Sequence, residues 1–140
     1  MTASSPQPAA LQRVCDLFAA AYFAVDTTHD TSEADARHRA ATRYGTPRLA
    51  SELAGGQGRS LDFPIWAAHH ATITTQLRPS VGEPLGPDEP TRAYRATVVT
   101  RQALGVDGWR QDLAPVAVSC TLAPTPGGWL VDRVDLSLGG

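Results

Sequence analysis

Hydrophobic residues recur along this chain in two different periods, and the switch between them divides it. Between Pro8 and Thr27, Leu11, Val14, Cys15, Phe18, Ala21, Tyr22 and Val25 follow one another at three- and four-residue steps. That spacing places them on one face of a helix. Asp26-Thr27-Thr28-His29-Asp30 is a polar connector. A second helix is predicted from Thr31 or Ser32, where Asp35 sits three residues after Ser32 in near capping-box spacing, to about Tyr44. Gly45 is its expected terminator. Its apolar positions are alanines (Ala34, Ala36, Ala40, Ala41), which predicts close packing on a neighbour. A third, short helix starts at Pro47, a good first-turn residue, and runs through Leu49 and Leu53 to Ala54. Gly55, Gly56 and Gly58 then form a loop. Ser60 to Ala68 carries Phe63, Ile65 and Trp66, but Pro64 interrupts a simple helical reading.

From His69 the period becomes two. His69, Ala71, Ile73, Thr75 and Leu77 share one face of an extended segment, and the β-branched run Thr72 to Thr75 favours a strand. Arg78 to Pro90, with Pro79, Pro84, Pro87 and Pro90, reads as a loop. Thr91 to Ala103 is a second strand, with Tyr94, Ala96 and Val98 opposing Arg95, Thr97 and Val99. Gly105 to Gly108 is a turn, and Trp109 leads into a third strand. There Val116, Val118, Cys120 and Leu122 alternate with Ala117, Ser119 and Thr121, so one face is buried. Pro124, Pro126, Gly127 and Gly128 stop it, and adjacent glycines can take the positive φ of a hairpin turn. The return strand changes parity, from Trp129 and Val131 to Val134, Leu136 and Leu138. A β-bulge at Asp132-Arg133 would produce that change and would bend the sheet. Three helices followed by four strands give an α+β fold. The first helix is the element around which the curved antiparallel sheet would curl.

Composition narrows the function classes. A chain of 140 residues makes one domain, read as 9–138 behind a tether of residues 1–8. It is 42% hydrophobic and 19% charged with a net charge of −2, and no basic stripe argues for nucleic acid as a partner. All 12 basic residues are arginine, which removes Schiff-base lysines and the P-loop lysine from consideration. No run approaches the roughly 20 apolar residues of a membrane helix. Met1 to Pro8 has no positive charge and no apolar signal core. The chain is therefore a cytosolic protein or part of a longer one, and the Ser/Pro-rich Thr2 to Pro8 favours the second. Cys15 falls on the helical stripe and Cys120 on the buried strand face. They are read first as two separate buried thiols, with a disulfide joining helix to sheet as the alternative.

The element order, the long first helix with its Tyr22-Phe23 pair, the Gly128-Trp129-Leu130-Val131 start of the last strand and the bulge after it resemble the nuclear transport factor 2-like cone fold. A narrower resemblance rests on Ala20-Ala21-Tyr22-Phe23-Ala24-Val25-Asp26-Thr27, Trp66-Ala67-Ala68-His69-His70-Ala71 and Tyr94-Arg95-Ala96. These segments look like the extracytoplasmic domains of actinobacterial conjugation proteins, which are similar to the inner-membrane scaffold subunit of type IV secretion systems and to TcpC-type proteins. The resemblance implies a cone of three helices on a curved four-stranded antiparallel sheet. It also implies a membrane helix upstream of the fold and partners among other secretion or conjugation components, with homo-oligomers among them.

The cone's open end is where related enzymes such as ketosteroid isomerase bind ligands, and Tyr22, Asp26, His69, His70, Tyr94 and Asp132 are the titratable groups that might reach it. Tyr94 as donor and Asp132 as base form the candidate acid–base pair, against a plainer reading as a cross-strand aromatic and a bulge residue. His69 and His70, taken as neighbours in a strand, point to opposite faces and cannot easily share a metal. No cofactor and no metal are expected. Phe63, Trp66 and Trp109 are candidate interface anchors, since tryptophan is enriched at binding hot spots, and core positions are the plainer alternative. The leading expectation is a non-enzymatic extracytoplasmic scaffold of a DNA-transfer apparatus. The alternative is a cone-fold isomerase, cyclase or dehydratase, which needs an open apolar pocket. An accessory domain of another actinobacterial envelope system, such as a lipid importer, is a third reading.

Overall fold

The computed structural model describes residues 8–54, 60–80 and 86–138. Four helices precede four strands: α1 (Pro8–Tyr22), α2 (Glu33–Tyr44), α3 (Pro47–Ala54), α4 (Phe63–Ala68), β1 (Thr72–Pro79), β2 (Ala93–Leu104), β3 (Arg110–Thr125) and β4 (Gly128–Leu138). The strands form one antiparallel sheet in sequence order, β1-β2-β3-β4. The α+β class and the curved four-stranded sheet are as expected, and α4 adds a helix to the three. The tether up to Gln7, the glycine-rich segment 55–59 and part of the proline-rich loop, 81–85, lie outside the described residues.

The helical stripe becomes the core. Leu11, Cys15, Phe18, Ala19 and Tyr22 of α1 bury against Ala93 and Val99 of β2, Val116, Val118, Cys120 and Leu122 of β3, and Val131 of β4. Ala40 and Ala41 of α2 and Leu49 of α3 close the same cluster from the other side. A second cluster joins Val25, Ala36, Phe63, Trp66, Ala71, Ile73 and Ala103.

Cys15 and Cys120 form a disulfide across the first cluster, 105 residues apart in sequence and fully buried. This corrects the reading of two separate thiols. The helical stripe and the strand face meet, which brings the two Cα atoms to 5.9 Å, within the usual span of the bond.

Helix α1 ends at Tyr22, five residues before the predicted Thr27, because sheet pairing competes for the backbone. The Val25 carbonyl accepts from Ile73 N–H (2.8 Å), and Thr27 N–H donates to the Ala71 carbonyl (3.1 Å). At α2, Ser32 occupies the N-cap without a side-chain bond. The Asp35 carboxylate instead reaches back to Thr31, accepting from its N–H and hydroxyl. Gly45 is not in the left-handed conformation that a terminator role predicts; its φ is −109°. It is needed for space, since a Cβ there would lie 2.8 Å from the Ala41 carbonyl oxygen. Pro64 starts α4 rather than breaking it, because the first turn needs no N–H.

His69 and His70 are not strand residues. His69 caps α4, and His70 has φ +48° in the turn to β1. The sheet bends at two places. Thr121 pairs with Arg133 and Leu122 with Val131, which leaves Asp132 as the extra residue of the predicted bulge. Val99 pairs with Val116 and Arg101 with Leu113, so Ala114 and Pro115 face Thr100 alone. A proline inside a central strand is tolerated at such a position.

Candidate functional site

Two spaces open between α1 and the sheet among the described residues, and one of them, of about 270 Å³, is lined by Gln12 and Asp16 of α1 with Leu77, Arg78, Ala96 and Thr97. Where α1 stops, a cleft of about 40 Å³ remains between Tyr22, Phe23, Glu33, Arg37, Trp66 and Arg101. That holds water, whereas ligand sites span about 300–1,000 Å³. Its polar groups are largely engaged. Ser60 N–H donates to the Glu33 carboxylate (3.0 Å), and Trp66 Nε1 donates to Gln111 Oε1 (2.9 Å). Arg37 lies over the Tyr22 ring and Arg101 over the Phe23 ring. Arg101 donates to the Ala114 carbonyl, while its buried Nε–H meets no acceptor among the described residues. Burial pushes the Tyr22 hydroxyl's pKa up, with Arg37 opposing, so it is no base near neutrality. Burial likewise pulls the Arg101 guanidinium down, and neighbouring Arg37 adds to this against Asp62 and Glu33.

The titratable groups named from the sequence do not converge on one place. Tyr22 is in the cleft. Tyr94 and Asp132 do come together, lining an open groove of about 900 Å³ with Arg48, Glu52, Arg92 and Arg133. Tyr94 has the opposite parity to the buried Ala93, Thr97 and Val99, which puts the groove outside the cone. Asp132 is already committed. It accepts from the Thr46 hydroxyl (2.8 Å) and Arg48 Nε (3.3 Å), and Arg48 also donates to its carbonyl. Partial burial raises its pKa, but the Thr46 and Arg48 contacts outweigh this and hold it below the usual carboxylate range. A general base works best near the ambient pH, so Asp132 fits a structural role at the bulge. Thr46 in turn caps α3, accepting from Leu49 N–H through its hydroxyl and from Ala50 N–H through its carbonyl.

His69 lies in a third place, at the turn between β2 and β3. Its Nδ1 is 2.8 Å from an Asp107 carboxylate oxygen, and its ring stacks on Trp109 at 4.3 Å between centroids. The hydrogen bond from His69 keeps the Asp107 carboxyl below its ordinary pKa, with Trp109 N–H adding to it. Asp26 is apart from all of these, bonded to Thr28 and His29 in the exposed connector. His70 is exposed. Among the described residues, no group of three His, Cys, Asp or Glu side chains could hold a metal.

Of the candidate interface residues, Phe63 and Trp66 are 2% and 4% exposed and belong to the second core cluster. α4 turns them inward, so neither offers a surface. Trp109 is half-buried under His69. The exposed apolar side chains at this end are Leu61, Ile65 and Val106. Glu33, Arg37, Arg101 and Asp107 were not singled out from the sequence. Arg101 had a signal, since it shares parity with Thr97, Val99 and Ala103 and so lies on the buried side of β2. Asp107 had none, because only the fold brings it to His69.

No family model matches the chain, and no curated protein matches it. Among solved structures, the chain is similar to an IcmL-like type IV secretion system protein from Legionella pneumophila subsp. pneumophila str. Philadelphia 1. The TM-score is 0.65 at 11% identity, covering 98% of this chain and 96% of the other. The likeness extends over essentially the whole fold and is one of architecture. Among the described residues no helix is long and apolar enough to cross a membrane.

Proposed function

We propose that this chain is a non-enzymatic, extracytoplasmic component of a type IV secretion or conjugative DNA-transfer apparatus that works through protein–protein contact. The observation that carries this is the full-length likeness in fold to an IcmL-like type IV secretion protein. The narrower resemblance around Ala20 to Thr27 and Trp66 to Ala71 points the same way from the sequence side. The buried Cys15–Cys120 disulfide supports the extracytoplasmic side, since such bonds persist in oxidising compartments and are rare in the cytosol.

On this reading residues 9–138 act as one domain, held at the membrane by a segment outside this chain. Exposed Leu61 and Ile65 at α4, and Val106 next to His69, are where other apparatus proteins would touch it. The test is deletion of the gene in its source organism, with transfer or secretion as the readout. Transfer is expected to fall to background and to return when the full-length gene is supplied in trans. Transfer at the wild-type level in the deletion strain contradicts the proposal.

A further inference from the structure

The cleft where α1 stops gathers more positive than negative charge. Arg37 of α2 and Arg101 of β2 line it together with Glu33, against the aromatic walls of Tyr22, Phe23 and Trp66. Two rings place the cations. The Arg37 guanidinium carbon lies 5.4 Å from the Tyr22 ring centre and that of Arg101 lies 5.0 Å from the Phe23 ring centre. The two rings meet edge to face, 4.9 Å between centres. Among the described residues neither cation is ion-paired. The Glu33 carboxylate instead accepts from Ser60 N–H (3.0 Å). Arg37 makes no hydrogen bond to another described residue. Arg101 donates to the Ala114 carbonyl (3.0 Å), and its buried Nε–H finds no acceptor among the described residues. A buried charged donor without an acceptor is costly, and native structures rarely keep one. The two guanidiniums also repel each other, with Glu33 and Asp62 opposing.

We propose that this cleft binds one small monovalent anion of the halide class, such as chloride, held by the Arg101 Nε–H and the Arg37 guanidinium. The donor chemistry sets the sign. Arginine donates hydrogen bonds and accepts none, so what meets it must be an acceptor. Water would satisfy the Nε–H, but it would leave the repulsion between the guanidiniums in place. Charge sets the valence. Two cations against one carboxylate leave a single positive charge in the lining. A monovalent anion cancels it, whereas a dianion such as sulfate would leave charge uncompensated beside apolar walls. Size sets the class, since about 40 Å³ has room for a halide but not for an organic ligand of ordinary size. The apolar walls favour anions that shed water easily, bromide and chloride over fluoride, and they strengthen the attraction by lowering the local dielectric. Held by both arginines, the anion would tie α2 to β2 beside the end of α1, so its binding should stabilise the fold. The inference stands on the cleft alone and does not depend on the functional reading above.

Chloride NMR line broadening by the folded chain, titrated with sodium chloride, tests it. The wild type is expected to show saturable excess broadening that bromide competes away and that fluoride or sulfate at equal ionic strength does not. Arg101→Met should remove the excess. Arg37→Met should raise the apparent dissociation constant by at least about tenfold, as expected when a charge-assisted hydrogen bond is lost. Arg133→Met, at an exposed arginine outside the cleft, should leave it unchanged. Arg37 is half-buried on a helix, so its variant decides the matter even where Arg101→Met does not fold. Urea unfolding gives a second readout. Replacing fluoride by chloride at constant ionic strength should shift the midpoint upward in the wild type relative to Arg37→Met. No saturable broadening in the wild type overturns the proposal and leaves water as the occupant. Excess broadening that Arg37→Met retains in full overturns it too, because the anion would then bind elsewhere.

Discussion

Asp132 shows how one side chain joins three elements. It is the extra residue of the β4 bulge, and it takes the hydroxyl of Thr46, the residue that caps α3. Replacing it with alanine should lower stability by about 1 kcal/mol in urea denaturation at pH 7, most of it from the Thr46 bond. The Arg48 pair, half in solvent, adds little. The folded-state pKa is depressed, so this stability is present above the unfolded carboxyl pKa of about 4 and lost as pH falls through the folded value. The gap between wild type and Asp132→Ala should therefore shrink in acid and stay constant from pH 6 to 8. Trp66 gives a graded case. Trp66→Phe keeps the ring in the second cluster but removes the bond to Gln111, at a cost of about 1 kcal/mol. Trp66→Ala also opens a cavity and should cost about 3–5 kcal/mol by the same assay. If Trp66→Ala were nearly neutral, the residue would not be core. From sequence, core and interface tryptophans look alike, because spacing reports a face and not what covers it.

Among the elements, strand positions were the most legible. The alternation of Val116 to Leu122 and the parity change after Val131 locate β3, the hairpin and a bulge at Asp132-Arg133, of which Asp132 is the extra residue. The parity change in β3 was equally present, between Leu113 and Val116, but Pro115 and Ala114 masked it. Helix ends were less legible. The apolar stripe continues to Val25, yet the backbone after Tyr22 bonds to the sheet, a long-range competition that local periodicity cannot register. His69 and His70 read as part of β1 for the converse reason: the turn after α4 carries no glycine or proline, and His70 takes its left-handed conformation. Gly45 carries an element-scale prediction. Gly45→Ala meets backbone at Ala41 and the Leu49 side chain, so α2 must shift from α3 and β4. A loss of about 1–3 kcal/mol is expected by thermal or urea unfolding. An unchanged midpoint would mean that the turn can move freely.

At the scale of the molecule, the disulfide ties the first helix to the centre of the sheet. The α+β order was readable from the switch in period, but the pairing of Cys15 with Cys120 needed the register of helix against sheet. A bond linking residues 105 apart restrains the unfolded chain strongly. The Cys15→Ala/Cys120→Ala double variant should be about 2–5 kcal/mol less stable in urea, and reductant should act on the wild type alone. Equal midpoints for the two proteins would remove the bond from the account of stability.

The most direct measurement of the central claim is the thiol state of Cys15 and Cys120 in the native protein. Intact source cells would be treated with a membrane-permeant alkylating reagent under denaturing quench, and the protein read by mass spectrometry. An extracytoplasmic domain of a secretion apparatus should show both cysteines protected as a linked peptide pair, alkylated only after added reductant. Alkylation of both thiols before reduction would place the folded domain in a reducing compartment and contradict the account.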